Sequence, residues 1–88
     1  MSYPSMSDKT TRRMVAYKIC NDSCNHHGSN QIVNDLYDSG MLYDTRELET
    51  VRSILDRRIT EYNKSHNMSL GQLISNIKRD IAYFWGKV

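Results

Sequence analysis

The sequence predicts an all-α fold, a small bundle of about four helical segments built on an antiparallel helical hairpin. Three observations lead there. The stretch from Asp44 to Trp85 holds two amphipathic patterns of helical period, separated by a short polar run. Each pattern opens on a capping signal. Only Met14 to Cys20 alternates well enough for a strand, with Val15, Tyr17 and Ile19 on one face, and nothing else offers a strand to pair with it.

Residues 1–8 hold the only proline, three serines and no core pattern, and read as a flexible N-terminal arm. Residues 9–88 then form a single helical domain. Its first helix spans about 9–24, with Ser7 or Asp8 available as a cap. The run Asn25-His26-His27-Gly28-Ser29-Asn30 breaks it. A second helix follows over about 30–39. Ser29 or Asn30 can cap it, Ile32, Val33, Leu36 and Tyr37 give it an apolar stripe, and Gly40 stands where a left-handed terminal residue is wanted.

The third helix, about 45–63, starts at Asp44, whose spacing to Glu47 is that of a capping box. Leu48, Val51, Leu55, Ile59 and Tyr62 recur at three- or four-residue steps, with Arg52 and Arg58 flanking the stripe. A polar run, Asn63 to Asn67, ends it. In the fourth helix, about 70–85, Ser69 and Gln72 form a second capping box, and Met68 and Leu73 can form a hydrophobic staple. Leu70, Leu73, Ile74, Ile77, Ile81, Phe84 and Trp85 share an apolar arc, with Asn76 and Asp80 outside it. Tyr83 points away from the core side, and Gly86 marks the end.

Eighty-eight residues make one domain with a lean core of six Leu, seven Ile and four Val. A homodimer joining two hairpins is the expected remedy, with a lone four-helix bundle as the rival. No apolar run approaches the roughly 18 to 20 residues of a membrane span, and the N-terminus has no signal-peptide core. The expected location is the cytoplasm, with both cysteines reduced and no membrane partner.

The formal charge of +2 is unevenly spread. Residues 8–18 carry one acid and four bases, whereas Asp22 to Asp44 includes four acids and neither lysine nor arginine. The basic segment suits an anionic partner. Lys9, Arg12, Arg13 and Lys18 beside Tyr17 are therefore the candidate nucleic-acid contacts, although a pI near 8.6 falls short of a dedicated binder.

Cys20, Cys24, His26 and His27 place four potential metal ligands within eight residues, a candidate zinc cluster whose spacing departs from the usual paired knuckles. A thiol near a helix C-terminus has its pKa raised rather than lowered, which disfavours redox chemistry. Catalysis has no support in the form of nucleophile-elbow glycines, a phosphate-binding glycine loop or paired inner-face acids; the acids read as solvated surface charge. No cofactor is implied.

The phrase Gln31-Ile-Val-Asn-Asp-Leu-Tyr-Asp-Ser-Gly resembles segments of small helical bacterial regulators and of helical bacteriocin immunity proteins. The likeness spans ten residues, holds no chemical motif and implies no function. The expected activity is that of a small non-enzymatic regulatory or adaptor protein that binds another protein, or a second copy of itself, through Tyr83, Phe84, Trp85 and Val88. A nucleic-acid-binding regulator is the alternative, and a zinc-stabilised domain a lesser one.

Overall fold

Four helices form in chain order: α1 (Lys9–Cys24), α2 (Ser29–Asp38), α3 (Thr45–Lys64) and α4 (Leu70–Ile81), the last continuing into a π-helical turn, Ala82–Gly86. The structure, a computed structural model, describes residues 4–86. No strand forms among the described residues. The alternating run is helical: Thr11, Val15, Ile19, Asp22 and Ser23 are buried on one side of α1, while Tyr17 is 78% exposed.

Side-chain caps start three of the helices. The Thr11 N–H donates to Asp8 Oδ2 at 3.1 Å, the Arg46 N–H to Asp44 Oδ1 at 2.9 Å and the Gln72 N–H to Ser69 Oγ at 3.1 Å. The outer residues of the two capping boxes also engage beyond their boxes. Glu47 Oε2 accepts from the Met6 N–H at 3.1 Å, and Gln72 Nε2 donates to Asn76 Oδ1 at 3.0 Å. In α2 the cap is Gly28, which has no side chain to offer. Ser29, expected as a cap, donates its hydroxyl to Asp56 on α3 and so ties α2 to its neighbour.

Two helices end in the same way. After α2, Gly40 turns left-handed (φ 71°); its N–H donates to Tyr37 O at 3.1 Å, and the Met41 N–H donates to Leu36 O at 3.1 Å. This is a Schellman motif on the glycine expected for it. After α1 the left-handed position falls on His26 (φ 63°). There the His26 N–H donates to Ser23 O and the His27 N–H to Asp22 O, both at 3.0 Å. Histidine is tolerated in this conformation better than most side chains, though less well than glycine.

The helices close into a ring, each packing on its chain neighbours and α4 returning to α1, with α3 and α4 in the most extensive contact. The core draws Val15 and Ile19 from α1, Ile32, Val33 and Leu36 from α2, Val51, Ile54 and Leu55 from α3, and Leu73, Ile77 and Ile81 from α4. Leu42 enters from a connection. Ile54 makes the α3 stripe wider than its periodicity suggested. None of the described helices is long and apolar enough to cross a membrane.

Three expectations change. Residues 1–8 read as a flexible arm with no core pattern; in its described part, Met6 is fully buried in the core and its backbone is tied to Glu47. Asp22 and Asp80 are buried rather than solvated, as is Asn76. With α1 on one side and α3 on the other, α4 is covered over a wider arc than its apolar residues occupy.

The third change concerns Phe84, which is 52% exposed. Bonds of the i→i+5 type advance the chain by about 80° per residue instead of 100°, so the phase slips after Ile81 and Phe84 rotates off the core side. Trp85 stays in partial contact with the core, and Tyr83 is exposed as expected.

Candidate functional site

Between α1 and the end of α4 lies a shallow groove of about 390 Å³, lined by Lys9, Arg12, Arg13 and Ala16 from one wall and Lys78, Ile81, Ala82 and Gly86 from the other. Half of these residues are cationic and none is acidic. Its floor is apolar. Lys9 and Arg13 share a face of α1 because they stand four apart, and both are exposed, as is Lys78 across the groove.

The fourth cation has an internal task. Arg12 Nη1 donates to the carbonyls of Met6 at 2.9 Å, Ser7 at 3.1 Å and Trp85 at 3.4 Å, binding the N-terminal segment to the C-terminal turn. Lys18 is likewise engaged, with Nζ 3.3 Å from Asp22 Oδ1. Of the five candidate nucleic-acid contacts, Lys9, Arg13 and Tyr17 therefore remain outward-facing, in a line at four-residue steps.

The π turn that edges the groove also carries the aromatic residues. The Tyr83 and Phe84 rings meet edge to face with centroids 5.7 Å apart, and Phe84 lies 6.1 Å from Trp85 at 54°. Tyr83 is 76% exposed. Two large rings are thus presented to water on the turn whose Ala82 and Gly86 line the groove. Val88, named with them from the sequence, lies outside the described residues.

The four cysteine and histidine residues do not gather. Cys20 is partly buried beside Lys78; burial pushes its thiol pKa up and the Lys78 ammonium draws it partly back. Cys24 and His26 are exposed. His27 alone joins a group, and its companions are acids. Its Nδ1 lies 3.8 Å from Asp22 Oδ1 and 3.9 Å from Asp35 Oδ2. Among the described residues this is the one set of three or more His, Cys, Asp or Glu with donor atoms mutually within reach of a metal ion.

Part of that grouping had a signal in the sequence. Asp22 follows Thr11, Val15 and Ile19 at helical steps, so the face that buries them also buries it. The approach of His27 had no such signal, because it depends on the left-handed turn at His26. Comparison of the chain with known protein families, curated proteins and solved structures finds no match.

Proposed function

We propose that the chain is a small, non-enzymatic, cytoplasmic regulatory or adaptor protein that binds an acidic segment of another protein along α1, α4 and the aromatic turn. One observation carries this reading: the turn whose Ala82 and Gly86 edge a cation-lined groove with an apolar floor also exposes two large rings, Tyr83 and Phe84. Burying rings of this size is worth about 1.5 to 3 kcal/mol each, while Lys9, Arg13 and Lys78 complement negative charge such as that of carboxylates. A rigid antiparallel pairing of α3 and α4 would serve as the back of the surface.

Self-association is the narrower form of the same reading, in which a second copy covers Tyr83 and Phe84. A nucleic acid is the rival partner, favoured by the line of Lys9, Arg13 and Tyr17. Three cations limit its electrostatic contribution. Three phosphate contacts on a single strand give a log K against log salt slope of about −2.

Selection of random peptides on the purified protein tests the reading. Acid-rich peptides with apolar residues should emerge and should lose binding to both Arg13→Ala and Phe84→Ser. Peptides without acidic bias, or a short single-stranded oligonucleotide that binds more tightly than any of them, would rule it out. Sedimentation velocity distinguishes self-association in the same samples.

A further inference from the structure

We propose that Asp22, His27 and Asp35 bind a divalent first-row transition cation that joins the end of α1 to α2. The site is distinct from the basic groove, and its argument does not depend on the function assigned above.

Asp22 is the anomaly from which the inference starts. It is a carboxylate only 1% exposed, in the last turn of α1, where the helix end already carries partial negative charge and the basic residue beside it is Lys18, one turn earlier. Its Oδ1 has Lys18 at 3.3 Å and a long bond from Asn21 Nδ2 at 3.5 Å. Its Oδ2 is buried with no hydrogen-bond partner. A buried carboxylate left half-satisfied is costly, and a cation is the usual compensation.

A second orphan lies beside the other oxygen of Asp22. His27 Nδ1 is buried without a hydrogen-bond partner, and it stands between the two carboxylates. Nothing about that position is accidental to the backbone. The Schellman turn that bonds the His27 N–H to Asp22 O also folds His27 back over the last turn of α1, and Asp35 approaches from α2.

One donor atom from each residue lies within 4.8 Å of the others. Metal–ligand bonds of about 2.0 to 2.2 Å put ligand atoms roughly 3.3 to 3.6 Å apart. The observed 3.8 and 3.9 Å from His27 Nδ1 need to close by a few tenths of an ångström, and the Asp22 and Asp35 oxygens, within 4.8 Å of each other, by up to about 1.5 Å. The His27 and Asp35 side chains, each about a third exposed, have room to do so.

Two carboxylate oxygens and one imidazole nitrogen suit a borderline ion such as Zn²⁺ better than Mg²⁺ or Ca²⁺, which prefer all-oxygen sites. A cleft of about 190 Å³ lined by Ser23, His27 and Tyr62 brings solvent to His27, the member of the site that lines it. Lys18 then acts as an internal competitor. Its ammonium holds Asp22 when no metal is bound and swings to solvent when one enters.

Isothermal titration of tag-free protein with ZnCl₂ near neutral pH tests this, with MgCl₂ as the control. One Zn²⁺ should bind per chain, and MgCl₂ should give no comparable heat. Asp35→Asn and His27→Ala, both at partly exposed positions, should each weaken binding by about tenfold or more while circular dichroism stays unchanged. Lys18→Met should tighten it several-fold by removing the competitor. The Cys20→Ser/Cys24→Ser double variant should bind as the parent does, and Co²⁺ should give no thiolate charge-transfer band.

Unchanged affinity in Asp35→Asn and His27→Ala would overturn the assignment. So would loss of binding in the double cysteine variant, which would give the metal to the thiols, or absence of a one-to-one event at millimolar Zn²⁺.

Discussion

Arg58 holds both oxygens of Asp80 with one edge of its guanidinium, Nε donating to Oδ2 at 2.7 Å and Nη2 to Oδ1 at 2.9 Å, while Arg57 Nη2 reaches the same Oδ2 at 2.9 Å. The Arg58 hydrogen bonds lower the Asp80 pKa, burial opposes them, and Arg57 adds to them; the Arg58 pKa is raised in turn. Because the folded carboxyl titrates below its ordinary value of 3.8, the pairing stabilises the fold above that value and is lost as pH falls through the folded pKa.

Arg58→Met should therefore cost about 2 to 3 kcal/mol near neutral pH, below the usual cost of breaking a buried pair because Arg57 remains. Urea titrations between about pH 7 and pH 2 check both halves. The parent should lose more stability on acidification than Asp80→Asn does. Parallel profiles would show that the pair contributes nothing to the acid sensitivity of the fold.

Arg12 and Arg13 are adjacent in sequence and opposite in role. Arg12→Ala removes three carbonyl contacts that join residues 6 and 7 to the C-terminal turn, and should cost about 1 to 2 kcal/mol. Exposed Arg13→Ala should stay within about 0.5 kcal/mol. Met6→Ala, at a fully buried side chain, should cost about 2 to 4 kcal/mol. Thermal melts decide, since 1 kcal/mol moves the midpoint of a domain this size by roughly 4 to 8 °C. Equal midpoints for the two arginine variants would refute the clamp.

What could be read beforehand follows from range. Asp44 and Ser69 announce helix starts because a cap is made within three residues, and Val15 and Ile19 mark a face because the helical period is local. The partner of Glu47 was hidden because Met6 lies forty-one residues away. Asp80 was placed outside the apolar arc because a single helix cannot reveal how many neighbours will cover it. The basic groove was half legible: Lys9 and Arg13 share a face by spacing, whereas Lys78 joins them only through packing of α4 on α1.

The two left-handed helix ends make opposite predictions. His26→Gly removes a strained side-chain conformation and should stabilise by a few tenths to about 1 kcal/mol, since glycine's greater freedom in the unfolded chain offsets part of the gain. Gly40→Ala introduces the same strain and brings a Cβ within 2.9 Å of Tyr43 Oη, a ring end that can move aside, so it should cost about 1 to 2 kcal/mol. Denaturant midpoints should shift in opposite directions. A destabilised His26→Gly would mean that the imidazole of His26 holds the turn.

Phe84 and Trp85 are neighbours whose alanine or serine variants should separate binding from folding. Trp85 packs partly on the core and its carbonyl accepts from Arg12, so Trp85→Ala should cost about 1 to 3 kcal/mol and blur any binding result. Phe84 has turned off the core with the π turn, so Phe84→Ser should change stability by no more than about 0.5 kcal/mol. The Tyr83→Ser/Phe84→Ser pair then removes the exposed rings from an intact fold, which is the variant needed for partner and self-association measurements. If that pair instead unfolds the protein at the parent's midpoint minus many degrees, the rings belong to the core in solution, the π turn has rewound to an α-helix, and the docking surface proposed here loses its aromatic half.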